Sequence, residues 1–347
     1  YVQWNDWNLL QKWLESYRQS AQGKDATPFR QTCVGQSIIF AGGNRNYRYH
    51  LQVPGHHLYL SAHATPNESP NLYVSIGSET LWTVGVDEAV AQIGRLVEEW
   101  KGEIVEVRVS RVDLAADYYV PEGITFEFLE QCRVGRSTTT RQHMENGMLQ
   151  TMYVGKGSSP VQLRVYDKAR EALKRCKLWF FDVWQALHGR NVWRVEFQLR
   201  RSWLKRWDIN TIDDLKTRAA AVWTYLTTEW VSLRVGSDSN TTRRPVHHWW
   251  AHVQGCAPEF GGQEPIERAA GNNDLGKLEW YIKHIGGCFA SFAAVQGIDD
   301  LDNALAKLLD SIERHWAERG DFRDEVAVRA TRRGVHIEEG GGDGIPF

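Results

Sequence analysis

Three segments, far apart in the chain, place ionisable and nucleophilic side chains at alternate positions. In Arg111–Asp117 the residues Arg111, Asp113, Ala115 and Asp117 share one face of an extended strand, because successive side chains point to opposite sides. In 163–168 one face carries Arg164, Tyr166 and Lys168 while Leu163 and Val165 point away. In 193–200 one face carries Arg194, Glu196, Gln198 and Arg200, and the other is wholly apolar. One such strand is an ordinary half-buried strand; three that converge would merge their polar faces into a single patch. Asp113 and Glu196 together could hold one hard divalent cation, Mg²⁺ or Mn²⁺, with water or phosphate oxygens completing its shell. Such a cation polarises a phosphodiester. A tyrosine beside it offers an oxygen nucleophile whose phosphate ester a second hydroxyl can later attack. The ordinary phenol pKa of about 10 means that Tyr166 needs activation, by the cation or by Lys168 or Arg164. Tyr166 also sits where a strand hands over to a helix, and a helix N-terminus favours phosphate.

The elements that must position these residues follow from periodicity. Residues 4–20 repeat apolar positions at helical spacing, with Trp4, Trp7, Leu10, Trp13, Leu14 and Tyr17 in register. Short alternating runs at 47–53, 58–64 and 72–76 read as antiparallel strands. Asp87 reads as the N-cap of a helix to about Trp100. Residues 104–120 give one or two strands, 126–132 a short helix and 134–147 a polar loop. Residues 149–155 and 161–166 form a hairpin around Gly155–Pro160, followed by a long helix over about 168–188 that Gly189 stops. A strand at 192–200 precedes helical patterns at 213–233, 275–296 and 301–318. Residues 235–247 and 255–273 read as connections. Four regions result: an N-terminal helix (1–29), an α+β catalytic domain (30–234), a mostly helical C-terminal region (235–333) and a flexible tail (334–347).

Composition narrows the class. The chain has 347 residues with 42% hydrophobic and 24% charged residues, enough apolar matter for a core and too much for disorder. The net charge of −2 conceals a basic middle: residues 101–250 carry 24 Lys/Arg against 17 Asp/Glu, and residues 251–347 carry 10 against 17. A basic centre between acidic ends suits a polyanion ligand. Arg170, Lys174, Arg175 and Lys177 on one helical side, with Arg200, Arg201, Lys205 and Arg206, extend it. The 16 tryptophans are mostly core by spacing, whereas Trp249 and Trp250, after Arg243, Arg244, His247 and His248, read as an exposed pair. The five cysteines lack a CxxC pair, which disfavours a disulfide scaffold or zinc finger. No run approaches the roughly 18 apolar residues of a membrane span, and no signal peptide opens the sequence. The expected location is therefore cytoplasmic, without membrane contact. Lys156-Gly157-Ser158-Ser159 lacks the P-loop spacing.

The wording RVDLAADY (111–118), MYVGKGSSPVQLRVYDKARE (152–171) and VWRVEFQLRRSWL (192–204) resembles the replication initiation factor family. Its members start rolling-circle replication of plasmids and filamentous-phage-like elements, and some are relaxases of conjugative elements. The clear motifs cover about 105–205. The resemblance implies an α+β fold, an antiparallel sheet with helices packed on one face and the other face open to DNA, followed by a mostly helical C-terminal region. It implies a metal-dependent DNA nickase and strand transferase that keeps a 5′-phosphate on tyrosine and releases a 3′-hydroxyl. Residue by residue, Tyr166 matches the nucleophile, Lys168 the accompanying lysine, and Asp113 and Glu196 the metal-binding acids. Arg111, Arg164, Arg194, Arg170 and Arg200 fall to phosphate or DNA contact. Asp117 or Asp167 remains open as a further metal ligand. The implied partners are origin DNA with a single-stranded or hairpin nick site, a host helicase and a second copy of the chain.

No N-terminal helix-turn-helix of the kind some relaxases carry is visible, which favours the initiator over the relaxase. Two other readings stand beside these: a catalytically inactive DNA-binding regulator, and a carbohydrate-binding or carbohydrate-cleaving protein that uses the tryptophans and paired acids.

Overall fold

Alternation of apolar and polar residues builds two separate five-stranded antiparallel sheets, not one, each with its apolar face under helices. The computed structural model describes residues 1–319 other than 45, 68, 185–190, 237, 263–265 and 267–272, together with 322, 323 and 326. Tyr1–Arg268 is one unit and Ala269–Phe347 a second.

The chain opens with β1 (Val2–Trp4), which pairs with β7 (Gly102–Ile104), so Trp4 belongs to a strand and not to the first helix. Helix α1 (Trp7–Ser20) starts one turn later because the Asp6 carboxylate accepts from the Leu9 N–H at 3.0 Å. Strands β2 (Ala26–Thr32), β3 (Gly35–Phe40), β4 (Tyr49–Val53), β5 (His56–Leu60) and β6 (Leu72–Ile76) form a meander in sequence order. Leu10 and Leu14 of α1 and Leu96 and Trp100 of the next helical region pack with Ile39, Leu51, Leu58 and Leu60. Trp13, placed in the core by spacing, is 42% exposed, with Arg30 over its ring. Helix α2 (Ser78–Glu99) begins about two and a half turns before Asp87 and is interrupted at Gly85, whose φ of 79° is a left-handed conformation that glycine adopts without steric cost. Asp87 instead pairs with Lys216 at 2.8 Å.

The second sheet has the strand order β10–β11–β12–β13–β8, formed by β8 (Arg111–Tyr119), β10 (Thr140–Glu145), β11 (Met148–Val154), β12 (Val161–Asp167) and β13 (Val192–Arg200). Thus 104–120 divides into β7 and β8. Helix α3 (Phe126–Cys132) and β9 (Arg133–Gly135) precede β10. The segment read as a polar loop is therefore partly β9 and partly the edge strand β10. An edge strand exposed on both faces has no apolar alternation to announce it. The apolar face buries Leu163, Val165, Val195, Phe197 and Leu199 against Trp203, Leu204, Val222, Trp223, Trp250 and Val253. Those partners lie on α6 (Arg201–Arg206), α7 (Ile212–Tyr225) and α8 (His248–Gly255).

Helix α7 carries a capping box between Thr211 and Asp214, then gives way to a π-helical turn, Leu226–Trp230, and to β14 (Val231–Leu233), which pairs with β9. Trp249 and Trp250 are 8% and 0% exposed, which corrects the reading of them as a surface pair. Their polar neighbours sit at the N-terminus of α8, while the Trp250 indole N–H is satisfied inside by the Thr227 carbonyl at 2.8 Å.

The long helix expected over 168–188 is two short ones, α4 (Lys168–Lys174) and α5 (Trp179–Val183). Cys176 between them takes a left-handed φ of 53°, and the Lys177 N–H closes onto the Ala172 carbonyl at 2.8 Å, which ends α4. Gly189 lies outside the described residues, as does the tail from 334. The second unit contains α9 (Asn273–Gln296) and α10 (Leu301–Arg319), near the expected helical spans. The whole is α+β, with antiparallel sheets and a helical C-terminal region.

Candidate active site

The three chemistry-bearing segments are neighbouring strands. Register pairs Arg164 with Glu196, Tyr166 with Arg194, Gln198 with Asp113 and Arg194 with Asp117. The polar face is therefore a set of rows across the sheet. One row runs His143, Thr151, Tyr166, Arg194 and Asp117; the next runs Arg141, Tyr153, Arg164, Glu196 and Ala115. Rows on one face are about 7 Å apart.

The Tyr166 hydroxyl donates to Glu196 Oε2 at 2.9 Å. Glu196 Oε1 contacts the Arg164 guanidinium, whose same terminal nitrogen lies 2.7 Å from Asp113 Oδ2. Arg164 thus ties the two carboxylates to one point. Arg111 grips Asp113 in bidentate fashion, at 2.8 and 2.6 Å. Arg194 does the same to Asp117, at 2.6 and 2.8 Å, and the Trp184 indole N–H adds a third bond to Asp117 at 3.0 Å. Asp167 caps α4 by accepting from the Arg170 N–H at 2.9 Å. Asp117 and Asp167 are both committed to these local partners.

Helix α5 covers one end of this face. Phe180 is fully buried beneath it, with Lys168 Nζ 4.1 Å and the Arg194 guanidinium 4.9 Å from its ring centroid. Lys168 is 2% exposed, pairs with Glu171 at 2.5 Å and lies 5.8 Å from the Tyr166 ring. Its amine lies over the ring and pairs with Glu171, and the group hydrogen-bonded to the phenol is Glu196. Burial, and then the Glu196 charge, push the Tyr166 phenol well above its usual range. Burial, and then the Arg194 charge, lower the Lys168 amine.

The remaining predicted residues lie apart from this centre. Arg170 pairs with Glu145 of β10 at 3.0 Å. Arg200 stands opposite Arg111 in the register of β13 with β8, at the end of the face away from Arg194. It donates to the Gly157 carbonyl at 2.7 Å, bracing the hairpin loop. Tyr153 shares the polar face one row from Tyr166, with Arg141 4.4 Å over its ring. Sequence reasoning passed over Glu171, Phe180 and Trp184. Glu171 was legible as the i,i+3 partner of Lys168, whereas Phe180 and Trp184 reach the site only through the break at Cys176.

Among the described residues no group of three or more His, Cys, Asp or Glu gathers as a metal site. Asp113 and Glu196 nonetheless supply two convergent carboxylates, a donor set that suits a hard divalent cation completed by water and phosphate. Beside them the buried Gln198 Nε2 has no hydrogen-bond partner among the described residues, and neither has Arg164 Nε. The residues fit such a cation on one condition: the guanidinium of Arg164 must vacate the space between them.

No curated protein matches the chain. The solved structure of a rolling circle replication initiator protein from Geobacillus stearothermophilus is 16% identical, with a TM-score of 0.38 over 70% of this chain and 85% of that one. The Phage_CRI family model, described as the N-terminal domain of a replication-associated protein, matches residues 87–218. That span includes β8, β12, β13 and every candidate site residue. Over it the chain is similar to replication-associated proteins, and the resemblance to the replication initiator family that the three strand motifs carry is upheld.

Proposed function

We propose that the protein initiates rolling-circle replication by nicking one strand at an origin, with Tyr166 as the nucleophile. The observation that carries this reading is the convergence of Tyr166, Glu196 and Asp113 within one hydrogen-bonded cluster on adjacent strands. The partner is origin DNA presenting a single-stranded or hairpin nick site. The Tyr166 hydroxyl gives its proton to Glu196 Oε2, its hydrogen-bond acceptor, as the oxygen attacks the scissile phosphorus. The bond to the 3′-oxygen breaks, that oxygen takes up a proton and leaves as a 3′-hydroxyl, and the 5′-phosphate stays on tyrosine. Asp113 and Glu196 would hold a divalent cation, Mg²⁺ or Mn²⁺. When bound, the cation neutralises charge that grows on the phosphate oxygens. Arg164 and Arg111 flank the same point and bind phosphate oxygens. Arg194, locked by Asp117 and packed on Phe180, holds the strand that carries Glu196. Lys168 fixes the start of α4 beside Tyr166.

The test is covalent trapping. Wild-type protein with Mn²⁺ and a single-stranded origin oligonucleotide gives an adduct resistant to denaturation. Tyr166→Phe binds the same DNA and gives none; undiminished adduct in that variant removes Tyr166 from the role.

The burial of Tyr166 and the neutralisation of both carboxylates by arginine also suit a second reading, a DNA-binding regulator of the same fold without nicking activity. It predicts metal-independent binding and no relaxation of supercoiled origin DNA.

A further inference from the structure

A pair of aromatic side chains, Trp82 exposed and Trp179 half-buried, lies beside the candidate active site and has no part in the chemistry above. Trp82, on the short helical piece of α2 ahead of the Gly85 break, is 57% exposed. Its ring lies 6.5 Å from that of Trp179 on α5. Trp179 stacks on Phe180 at 3.8 Å with an interplanar angle of 22°. Phe180 in turn packs on Lys168 and Arg194, the neighbours of Tyr166. Three rings, Trp82, Trp179 and Phe180, therefore lead from solvent to the cationic side chains of Lys168 and Arg194, and Lys168 lies over the Tyr166 ring.

Exposed large apolar side chains on a folded surface mark a binding site when they cluster. Leu81 and Val84 on α2 and Leu178 at the start of α5 are exposed with Trp82. Arg175 is exposed and Lys177 half-exposed on the connection between α4 and α5. Aromatic rings flanked by cations suit the unpaired bases and backbone of single-stranded nucleic acid, because every base offers a π-face and every linkage a phosphate. A protein partner would use the apolar rings but gains nothing from the cations beside a site that handles phosphate.

We infer that Trp82 and Trp179 form a stacking site for unpaired DNA bases flanking the phosphate presented to Tyr166. The inference rests on the proposed nicking function and names the surface that receives the strand. The break at Gly85 separates the Trp82 segment from the main body of α2, so the ring is carried on a short arm and not on the helix that backs the N-terminal sheet.

The test compares the full-length protein with Trp82→Ala, Trp82→Leu and Trp82→Phe, titrated against fluorescein-labelled oligothymidylate and an abasic oligonucleotide of equal length. Trp82→Ala and Trp82→Leu should both weaken oligothymidylate binding by about tenfold, Trp82→Phe by much less, and none should alter abasic binding. Loss confined to Ala and Leu on the base-bearing strand supports stacking. Three outcomes overturn it: an Ala variant that binds oligothymidylate as wild type does, equal losses on the abasic strand, or a Leu variant that retains affinity. A fall in mass by light scattering on Trp82→Ala also overturns it, by assigning the patch to a second copy of the chain. Unfolding is monitored by circular dichroism, and Trp82→Phe serves as the folded control. Absence of a Tyr166 adduct with the Trp82 effect intact would instead remove the nicking chemistry and leave the strand-binding surface.

Discussion

The two five-stranded sheets of the first unit share a plan and differ in what they put on the face away from the helices. The N-terminal meander presents Phe40, His50 and Tyr59 in a stack, with centroids 4.1 and 4.4 Å apart, and His50 shares a 3.0 Å hydrogen bond with His57. Burial lowers both histidines, His50 to about 4, so the face stays neutral near pH 7. The second sheet puts carboxylates and guanidinium groups on the same kind of surface and half-buries them. Neutral rings on a sheet satisfy one another and need nothing further. Half-buried charges must be paired, and the pairing sets up groups that a phosphate or a cation can rearrange. The architecture is common to both sheets; the proposed chemistry is assigned to the one whose outer face is ionic.

The comparison breaks first at the carboxylates. Asp113→Asn and Glu196→Gln should each reduce covalent adduct formation by about 100-fold or more, the usual cost of losing a group that acts in the transition state. Substitutions of His50 or His57 should leave the rate unchanged, as measured by single-turnover trapping. A large loss from the histidines would erase the distinction between the sheets.

The next effect is on stability. Asp117→Ala leaves the Arg194 charge buried without its bidentate partner and should destabilise the unit by about 3 kcal/mol in urea unfolding, a large fraction of a typical total. The side chains of the pair are only 8% and 12% exposed, which is why the loss should exceed that of a surface ion pair. Breaking the exposed Arg95–Glu88 contact should change little by the same measurement.

Arg164→Gln separates the two jobs of its guanidinium. It should tighten Mn²⁺ binding in the absence of DNA, by about tenfold, because a resident positive charge no longer competes for Asp113 and Glu196. It should also weaken adduct formation. Isothermal titration with Mn²⁺ reads the first effect without any turnover. Unchanged or weaker Mn²⁺ affinity would mean that Arg164 does not hold the cation's place.

The smallest effect concerns the neutral sheet. A histidine whose folded pKa lies below its unfolded value stabilises the fold above about pH 6.5, and that contribution is lost as pH falls toward about 4. Melting temperature should therefore drop between pH 7 and pH 5, and His50→Phe should flatten the drop while keeping the stack between Phe40 and Tyr59.

Much of this was legible in the chain because the ionic sheet is written in strict alternation. Arg111 to Asp117, Arg164 to Tyr166 and Arg194 to Arg200 each declare their faces, and the register brings them together. What escaped had no local signature. Strand β10 is polar on both faces. Helix α5 turns toward the site through one left-handed cysteine, so Phe180 could not be placed over Lys168 and Arg194 by periodicity. The polar flanks of Trp249 and Trp250 pointed outward while the indoles filled the core beneath the sheet. Side-chain pairing was hidden too: alternation put Arg164 on the right face, but not its bridging of Asp113 and Glu196.

The central claim is that a phenol on the ionic sheet takes the DNA phosphate. Tryptic digestion of the trapped adduct, followed by mass spectrometry, tests it most directly. A nucleotide remnant is expected on the peptide that contains Tyr166 and none on the peptide that contains Tyr153. A remnant on Tyr153 or elsewhere, or no adduct from protein that binds and relaxes origin DNA, would contradict it.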